Sequence, residues 1–245
     1  MASALTVDCV VGGGSGIGAA LIERWQADGQ RPIWAIGRPS AALEKLAAYP
    51  AVRAYPVDYS DESLAALAAN FLESGADVTR LVICNGVLQG EGYRPERALT
   101  QLDLQAMRAV FEINAFLPMR VLSALSPVIK RAAAPRIAVL SARVGSLGDN
   151  QLGGWYSYRG SKAALNMMLK CAALELRRLN RNAKLVAYHP GTVDTPLSRP
   201  FQSGVDPEKL LTPERAAEAL DRVVSRLEPD GELSYLDWRG ETIPW

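Results

Sequence analysis

The chain has 245 residues, of which 49% are hydrophobic and 22% are charged, and its formal net charge is +1. A chain of this size can bury a substantial core, and its near-neutral charge disfavours an electrostatic nucleic-acid binder. Its three cysteines lack metal or redox spacing, so they are expected to be reduced core thiols. Its single histidine, His189, excludes a multi-histidine metal site.

The first apolar run, Leu5–Val11, is too short to span a bilayer and contains Asp8. No basic leader precedes it, and glycines rather than a cleavage site follow it. The chain has no repeat, no low-complexity tract and no long run of like charges. We therefore expect a single domain over residues 1–245 that is cytoplasmic and has no nucleic-acid or membrane partner.

Short apolar runs alternate with longer stretches rich in alanine and leucine. Strands are predicted at Leu5–Val11, Pro32–Ile36, Val52–Val57, Arg80–Cys84, Arg136–Ser141, Lys184–His189 and Leu233–Leu236. Helices are predicted at Gly16–Asp28, Ala41–Ala48, Glu62–Glu73, Leu102–Arg131, Tyr158–Leu179 and Pro213–Leu227. Strands that are apolar throughout are typical of a parallel sheet covered on both faces. The alternation predicts a doubly wound α/β fold of the Rossmann type, with a mainly parallel seven-stranded sheet.

Local signals mark several of these boundaries. Gly29 is placed to end the first helix, because glycine adopts the left-handed conformation of a helix C-terminus. Thr212 followed by Pro213 is typical of a helix start. The long Leu102–Arg131 stretch contains Pro118, so a kink or break is expected there.

A glycine-rich run joins the first strand to the first helix. Such a loop lets backbone N–H groups approach a pyrophosphate, which then faces the helix N-terminus. A tight strand-to-helix turn is the alternative, but the strand–loop–helix context favours dinucleotide binding. The predicted contacts are Gly12, Gly14, Ser15, Gly16, Ile17 and Gly18.

The end of the second strand indicates which dinucleotide is bound. An NAD site needs an acidic residue near this point, but no Asp or Glu lies between Gly29 and Glu44. Arg38 instead offers a planar fork of donors suited to a 2′-phosphate, so NADP is favoured over NAD. A solvated surface arginine is the alternative. Asp58, after the third strand, is predicted either to accept from the adenine amino group or to cap the helix near Glu62.

Tyr158 and Lys162 are four residues apart, which places them on one face of a helix. A nearby ammonium stabilises phenolate and makes tyrosine a usable proton donor to a carbonyl oxygen. The pair alone occurs by chance in many helices, and it becomes specific only together with the glycine loop.

In this combination the sequence resembles the short-chain dehydrogenase/reductase family over nearly its whole length. The resemblance is carried by Gly12–Gly18, Asp58, Asn85-Gly86, Asn114, Ser141–Gly145, Tyr158, Lys162 and Pro190–Thr195. Within the family the sequence looks most like the small bacterial C-factor-like group. That narrower likeness is carried by Arg143–Ser146, Gly153–Tyr158 and Trp238–Gly240.

The resemblance implies an enzyme that moves a hydride between nicotinamide and the carbonyl or alcohol carbon of a small molecule. Tyr158 would be the acid/base, and Lys162 would hold the nicotinamide ribose and lower the tyrosine pKa. Asn114 would maintain a kinked helix and a water for proton relay. His189 is interpreted as a strand-end residue rather than a catalyst.

The resemblance also assigns further cofactor contacts. Asn85-Gly86 would pack on the adenosine side, although asparagine at 85 departs from the small residue usual in the family. The segment after the sixth strand would meet the nicotinamide carboxamide. Its expected contacts are Pro190, Gly191, Val193 and Thr195.

The serine motif departs from the family pattern. The family sequence Ser-Ser-x-x-Gly reads Ser-Ala-Arg-Val-Gly from residue 141 to residue 145, so Ala142 stands at the usual catalytic serine. Ser141 is the preferred replacement and Ser146 is the next candidate. If neither acts, turnover would be reduced. The alternative function is then a cofactor-binding regulatory or signalling protein with this fold.

Other features are open to two interpretations. The loops Leu147–Trp155 and Leu197–Asp206, the latter with Phe201, are predicted either to face the substrate or to be ordinary surface loops. The resemblance implies a homodimer or homotetramer, formed by the long helices that hold Asn114 and Tyr158. Apolar residues that either pair between subunits or are buried within one are Ala164, Leu165, Met168, Leu169 and Ala172.

Overall fold

The computed structural model describes residues 5–204 and 206–245. Residues 1–4 of the expected domain and Val205 of the predicted loop Leu197–Asp206 lie outside this part. The main sheet consists of β1 (Thr6–Val11), β2 (Ile33–Gly37), β3 (Val52–Pro56), β4 (Asp77–Ile83), β5 (Arg136–Leu140), β6 (Lys184–His189) and β9 (Leu233–Asp237). A separate two-stranded sheet pairs β7 (Thr192–Val193) with β8 (Leu210–Leu211).

The seven strands follow the order β3-β2-β1-β4-β5-β6-β9, and every neighbouring pair is parallel. This confirms the predicted doubly wound fold. The chain builds outward from β1 to β3 and then returns to β4 on the other side of β1. The connections after β1 and β4 therefore diverge at the carboxyl edge of the sheet, where such folds bind ligands.

Helices cover both faces of the sheet. They are α1 (Gly16–Asp28), α2 (Ala41–Ala47), α3 (Asp61–Glu73), α4 (Leu104–Phe111), α5 (Leu117–Arg131), α6 (Tyr156–Leu179) and α7 (Pro213–Ser225). One core lies between the sheet and α3, α5 and α6, and the other lies between the sheet and α1, α2 and α7. Because the inner strands are covered twice, the apolar side chains of β1, β2, β5 and β6 are buried on both faces, as the continuous apolar runs predicted, whereas the edge strand β3 is partly exposed.

The predicted boundary signals are present. Gly29 ends α1 with φ of 60°, and the Thr212 hydroxyl accepts from the N–H of Arg215 at the start of α7. One strand was predicted too short, since β4 begins at Asp77 rather than Arg80. Polar residues interrupt the apolar pattern there, but pairing with β1 extends the strand.

The long helical stretch bends differently from the prediction. A π-helical turn at Glu112–Phe116 separates α4 from α5, and α5 then continues through Pro118. Over Leu104–Arg131 the helix is long and apolar enough to match a membrane span, but α5 packs against α3 and α6. Its apolar side chains therefore serve the core in this structure.

Two of the α6 residues considered for subunit pairing belong to the same core. Leu165 and Leu169 are fully buried within the chain, while Met167 and Leu174 on the opposite side of the helix are exposed. Leu165 and Leu169 thus follow the alternative of burial within one subunit, and the large apolar side chains exposed on α6 include Met167 and Leu174.

Candidate active site

The glycine loop lies between β1 and α1 in a conformation that larger residues would obstruct. Gly12 has φ of +80°, and a Cβ there would lie 3.2 Å from the Asn85 nitrogen. A Cβ at Gly18 would lie 2.5 Å from the Gly12 carbonyl oxygen, and one at Gly16 would lie 3.0 Å from Thr195. The glycines therefore bring the loop, the end of β4 and the segment after β7 into close contact.

Beside this loop a cavity of about 480 Å³ opens at the carboxyl ends of the central strands. The predicted site residues that line it are Ser15, Gly16, Ile17, Asn85, Gly86, Ser141, Tyr158, Lys162, Pro190, Gly191, Val193 and Thr195. Those outside its lining are Gly12, Gly14, Gly18, Arg38, Asp58 and Asn114. The structure therefore brings the predicted catalytic pair and most of the predicted cofactor contacts to one space.

Tyr158 and Lys162 project from α6 into this cavity. The Lys162 ammonium is buried and donates to the Leu140 carbonyl oxygen at 2.8 Å. Burial lowers the pKa of Lys162 to about 7 and raises the pKa of Tyr158 to about 12. The expected lowering of the tyrosine pKa by lysine is absent here, because the cost of burying phenolate dominates. At neutral pH Tyr158 is therefore protonated and able to donate.

Asn114 lies directly behind the pair, within the π-helical turn. Its side chain accepts from the Val87 N–H and donates to the Val87 carbonyl oxygen, both at 2.8 Å, and also donates to Ser161 on α6. A Cβ at Gly86 would lie 3.6 Å from the Asn114 amide oxygen and 3.7 Å from the Lys162 nitrogen. Asn114 thus fixes the end of β4 against α6, while its role in a proton relay stays a prediction.

The serine motif shows where its hydroxyls are used. Ser141 is buried and donates to the Asn166 side chain at 2.6 Å. Ala142 lines the cavity, whereas Ser146 is outside the lining and accepts from the Asp149 N–H. The Ser141 hydroxyl proton is thus already committed within the protein, so its predicted catalytic role requires a change of partner.

Gly145 ends this motif and touches α6. A Cβ at this residue would lie 2.8 Å from the Lys162 Cβ and 2.9 Å from the Lys162 carbonyl carbon. Glycine therefore allows the motif to lie flat against the helix turn that carries the lysine.

The residues predicted to contact the 2′-phosphate and the adenine, Arg38 and Asp58, follow β2 and β3. Arg38 is exposed, and its guanidinium lies 5.9 Å from the centre of the Tyr59 ring. The Tyr59 hydroxyl accepts from the Asn85 side chain at 3.2 Å. Asp58 accepts from the Ser60 N–H, while Ser60 itself caps α3. Tyr59 thus links Arg38 to Asn85, a connection that sequence reasoning did not anticipate.

His189 is the last residue of β6, as expected, and it also lines the cavity. Its Nδ1 is buried without a hydrogen-bond partner among the described residues. Burial and the nearby Arg143 lower the pKa of His189 to about 4, so the ring is neutral at pH 7.

Glu96 was missed because no local pattern marks it. Its buried carboxylate accepts from the N–H and hydroxyl of Ser157, in the first turn of α6. Its carbonyl oxygen accepts from the Trp155 N–H at 2.5 Å. Glu96 therefore holds the helix start that precedes Tyr158, across about sixty residues of sequence.

Comparison with known proteins identifies the family. The profile described as short chain dehydrogenase matches residues 6–206. The chain belongs to the short-chain dehydrogenase family. This confirms the resemblance seen in the sequence, and it places the Tyr158–Lys162 pair and the glycine loop within a known oxidoreductase framework.

Individual relatives show the range of the likeness. The chain is 35% identical to the C-signal protein of Myxococcus xanthus over 60% of this chain and 84% of that protein. It is 32% identical to 1-hydroxy-2-glutathionyl-2-methyl-3-butene dehydrogenase of Rhodococcus sp. (strain AD45) over 76% of each. The C-signal match agrees with the predicted likeness to the C-factor-like group.

A solved structure extends the comparison. The NADPH-bound carbonyl reductase from chicken fatty liver superposes with a TM-score of 0.85 at 25% identity, covering 99% of this chain and 100% of that one. The fold of this chain is therefore that of the family throughout.

Proposed function

We propose that this protein is an NADP-dependent carbonyl reductase or alcohol dehydrogenase that acts on a small molecule. One observation carries the proposal: Tyr158 and Lys162 face the same cavity as the glycine loop that begins α1. The similarity to an NADPH-bound carbonyl reductase and to a short-chain dehydrogenase with bound NADP from Burkholderia multivorans supports it.

The residues present fit a dinucleotide. The glycine loop packs so closely that a Cβ at Gly12 would meet Asn85 and one at Gly16 would meet Thr195. The buried Asn85 amide oxygen beside the loop lacks a partner among the described residues and is able to accept from a ligand. Arg38 has no ion-pair partner in the described part of the chain and is free to bind a 2′-phosphate. When bound, the nicotinamide supplies a hydride to the carbonyl carbon.

The chain's own residues handle the proton. Because its pKa is about 12, Tyr158 is protonated at neutral pH and donates to the carbonyl oxygen as charge develops there. Lys162 lies next to Tyr158 in the cavity and is positioned to hold the ribose hydroxyls.

The test is consumption of NADPH with a panel of ketones and aldehydes, and with Tyr158→Phe as the control. We expect turnover by the natural chain and a loss of at least 100-fold in Tyr158→Phe, with NADPH affinity retained. An active Tyr158→Phe variant would remove Tyr158 from the chemistry.

A second function is favoured by Ala142, which leaves no hydroxyl at the family's serine position. The protein would then be a regulatory or signalling protein that binds the cofactor with little turnover. Absence of NADPH consumption across the panel, with cofactor affinity intact, would support this alternative.

Two further expectations belong to the same proposal. The cytoplasm is proposed as the location, since all three cysteines are free thiols. A homodimer or homotetramer is proposed, and the exposed Met167 and Leu174 on α6 offer apolar surface for it. Light scattering of the purified protein would measure the assembly.

A further inference from the structure

Three aromatic rings meet at the mouth of the cavity. The ring centre of Trp155 lies 6.2 Å from that of Tyr158 and 5.3 Å from that of Phe201, with interplanar angles of 75° and 66°. Both are edge-to-face arrangements, which aromatic rings favour. Trp155 therefore bridges the proton donor and the short helical turn at residues 199–204 that carries Phe201.

Contacts within the chain fix the backbone that carries the Trp155 ring. Trp155 has φ of 52°, an uncommon value for a residue other than glycine. Its N–H donates to the Glu96 carbonyl oxygen, and the buried Glu96 side chain caps the following turn through Ser157. A conformation of this kind persists only where its surroundings impose it, and such sites are commonly functional.

Apolar side chains make up much of the rest of the lining. Leu88, Val144 and Leu197 line the same cavity as the two aromatic rings. Among the described lining residues Lys162 is the one cationic side chain, since the His189 ring is neutral at pH 7. Lys162 donates to Leu140 and, under the proposed function, would hold the ribose, so the described lining offers no further cation to bind a carboxylate or phosphate on a substrate.

We infer that the substrate is an uncharged aryl ketone or aldehyde whose ring packs against the contacting rings of Trp155 and Phe201. Its carbonyl oxygen would then point to the Tyr158 hydroxyl. The step is a two-electron reduction: the carbonyl carbon gains a hydride from NADPH, the oxygen gains the Tyr158 proton, and the products are a benzylic alcohol and NADP⁺. Tyr158 then regains a proton from solvent. This inference rests on the proposed function and names its substrate class.

The experiment compares four ketones with the NADPH-loaded protein: acetophenone, cyclohexyl methyl ketone of similar size, 2-butanone, and the acidic 4-acetylbenzoate. We expect kcat/KM to be about tenfold higher for acetophenone than for cyclohexyl methyl ketone, and lowest for 4-acetylbenzoate. Trp155→Leu should lower kcat/KM at least fivefold more for acetophenone than for 2-butanone, whereas Trp155→Phe should retain the preference. Leu152→Ala, in the same loop but 91% exposed, is the matched control.

Other outcomes separate this inference from the proposed function. Equal or better turnover of 4-acetylbenzoate or cyclohexyl methyl ketone would overturn the aryl preference while leaving the reductase activity standing. If no ketone is reduced, the proposed function fails. Calorimetry of acetophenone binding to the NADP⁺-loaded protein then tests whether the aryl-binding site exists. Binding that Trp155→Leu weakens, and Leu152→Ala does not, would support an aryl site, whereas no binding would overturn it.

Discussion

The ammonium of Lys162 lies 2.8 Å from the carbonyl oxygen of Leu140, within a site where it is almost completely buried. A single backbone acceptor does not replace the water that a lysine loses on burial. The pKa of Lys162 is accordingly lowered from 10.5 to about 7. Burial of the Lys162 ammonium therefore costs the free protein part of its folding free energy.

Lys162→Met should stabilise the free protein while abolishing turnover. Below pH 7 both the folded and the unfolded lysine are protonated, so the burial cost is complete, of the order of several kcal/mol at most. Between about pH 7 and 10.5 the folded lysine is neutral, and the cost declines as pH rises. Urea unfolding at pH 6.5 and pH 9 should thus show that Lys162→Met raises the free energy of unfolding more at the lower pH. A pH-independent difference would contradict the lowered pKa.

Arg38→Ala should weaken NADPH binding by about 10- to 100-fold and NADH binding by less than threefold, because only NADPH offers a 2′-phosphate. Arg53→Ala is the matched control, since the Arg53 guanidinium also lies over a tyrosine ring, that of Tyr55 at 5.0 Å. The measurement is fluorescence titration with each nucleotide. Equal losses for the two nucleotides would argue against NADP selectivity.

Ala142→Ser should raise kcat by about two- to tenfold, because a hydroxyl at this residue would face the cavity and bind the carbonyl oxygen. Ser141→Ala should mainly lower the melting temperature, since it removes the hydrogen bond to Asn166. Steady-state kinetics and thermal unfolding of both variants distinguish the two positions. If Ser141→Ala instead lost turnover at unchanged stability, the sequence-based preference for Ser141 would stand.

Arg80→Met should destabilise the fold by about 3–5 kcal/mol without changing KM. Arg80 pairs with the buried Asp8 at 2.5 Å and with Asp221 at 2.9 Å, and its guanidinium lies 4.0 Å from the Trp25 ring. None of these residues lines the cavity. Arg24→Met removes a more exposed partner of Asp221 and should cost about 1 kcal/mol or less by urea unfolding.

Local sequence signals predicted most of the framework. The glycine loop, the Thr212 cap and the Tyr158–Lys162 spacing depend on residues close in the chain, so their patterns are visible in the sequence. The pairing of Glu96 with Ser157 depends on residues 61 positions apart and leaves no such pattern. The lowered pKa of Lys162 was equally hidden, because burial is a property of the assembled fold.

The position of Gly145 affects how mutational scans of this protein should be interpreted. Because any Cβ there would lie within 3 Å of Lys162, even alanine would displace the lysine-bearing turn of α6. Residue 145 would then score as intolerant of substitution although it has no side chain to contribute. Sensitivity to substitution near this cavity therefore reports the space available as well as the chemistry, and it does not by itself identify the residues that touch the substrate.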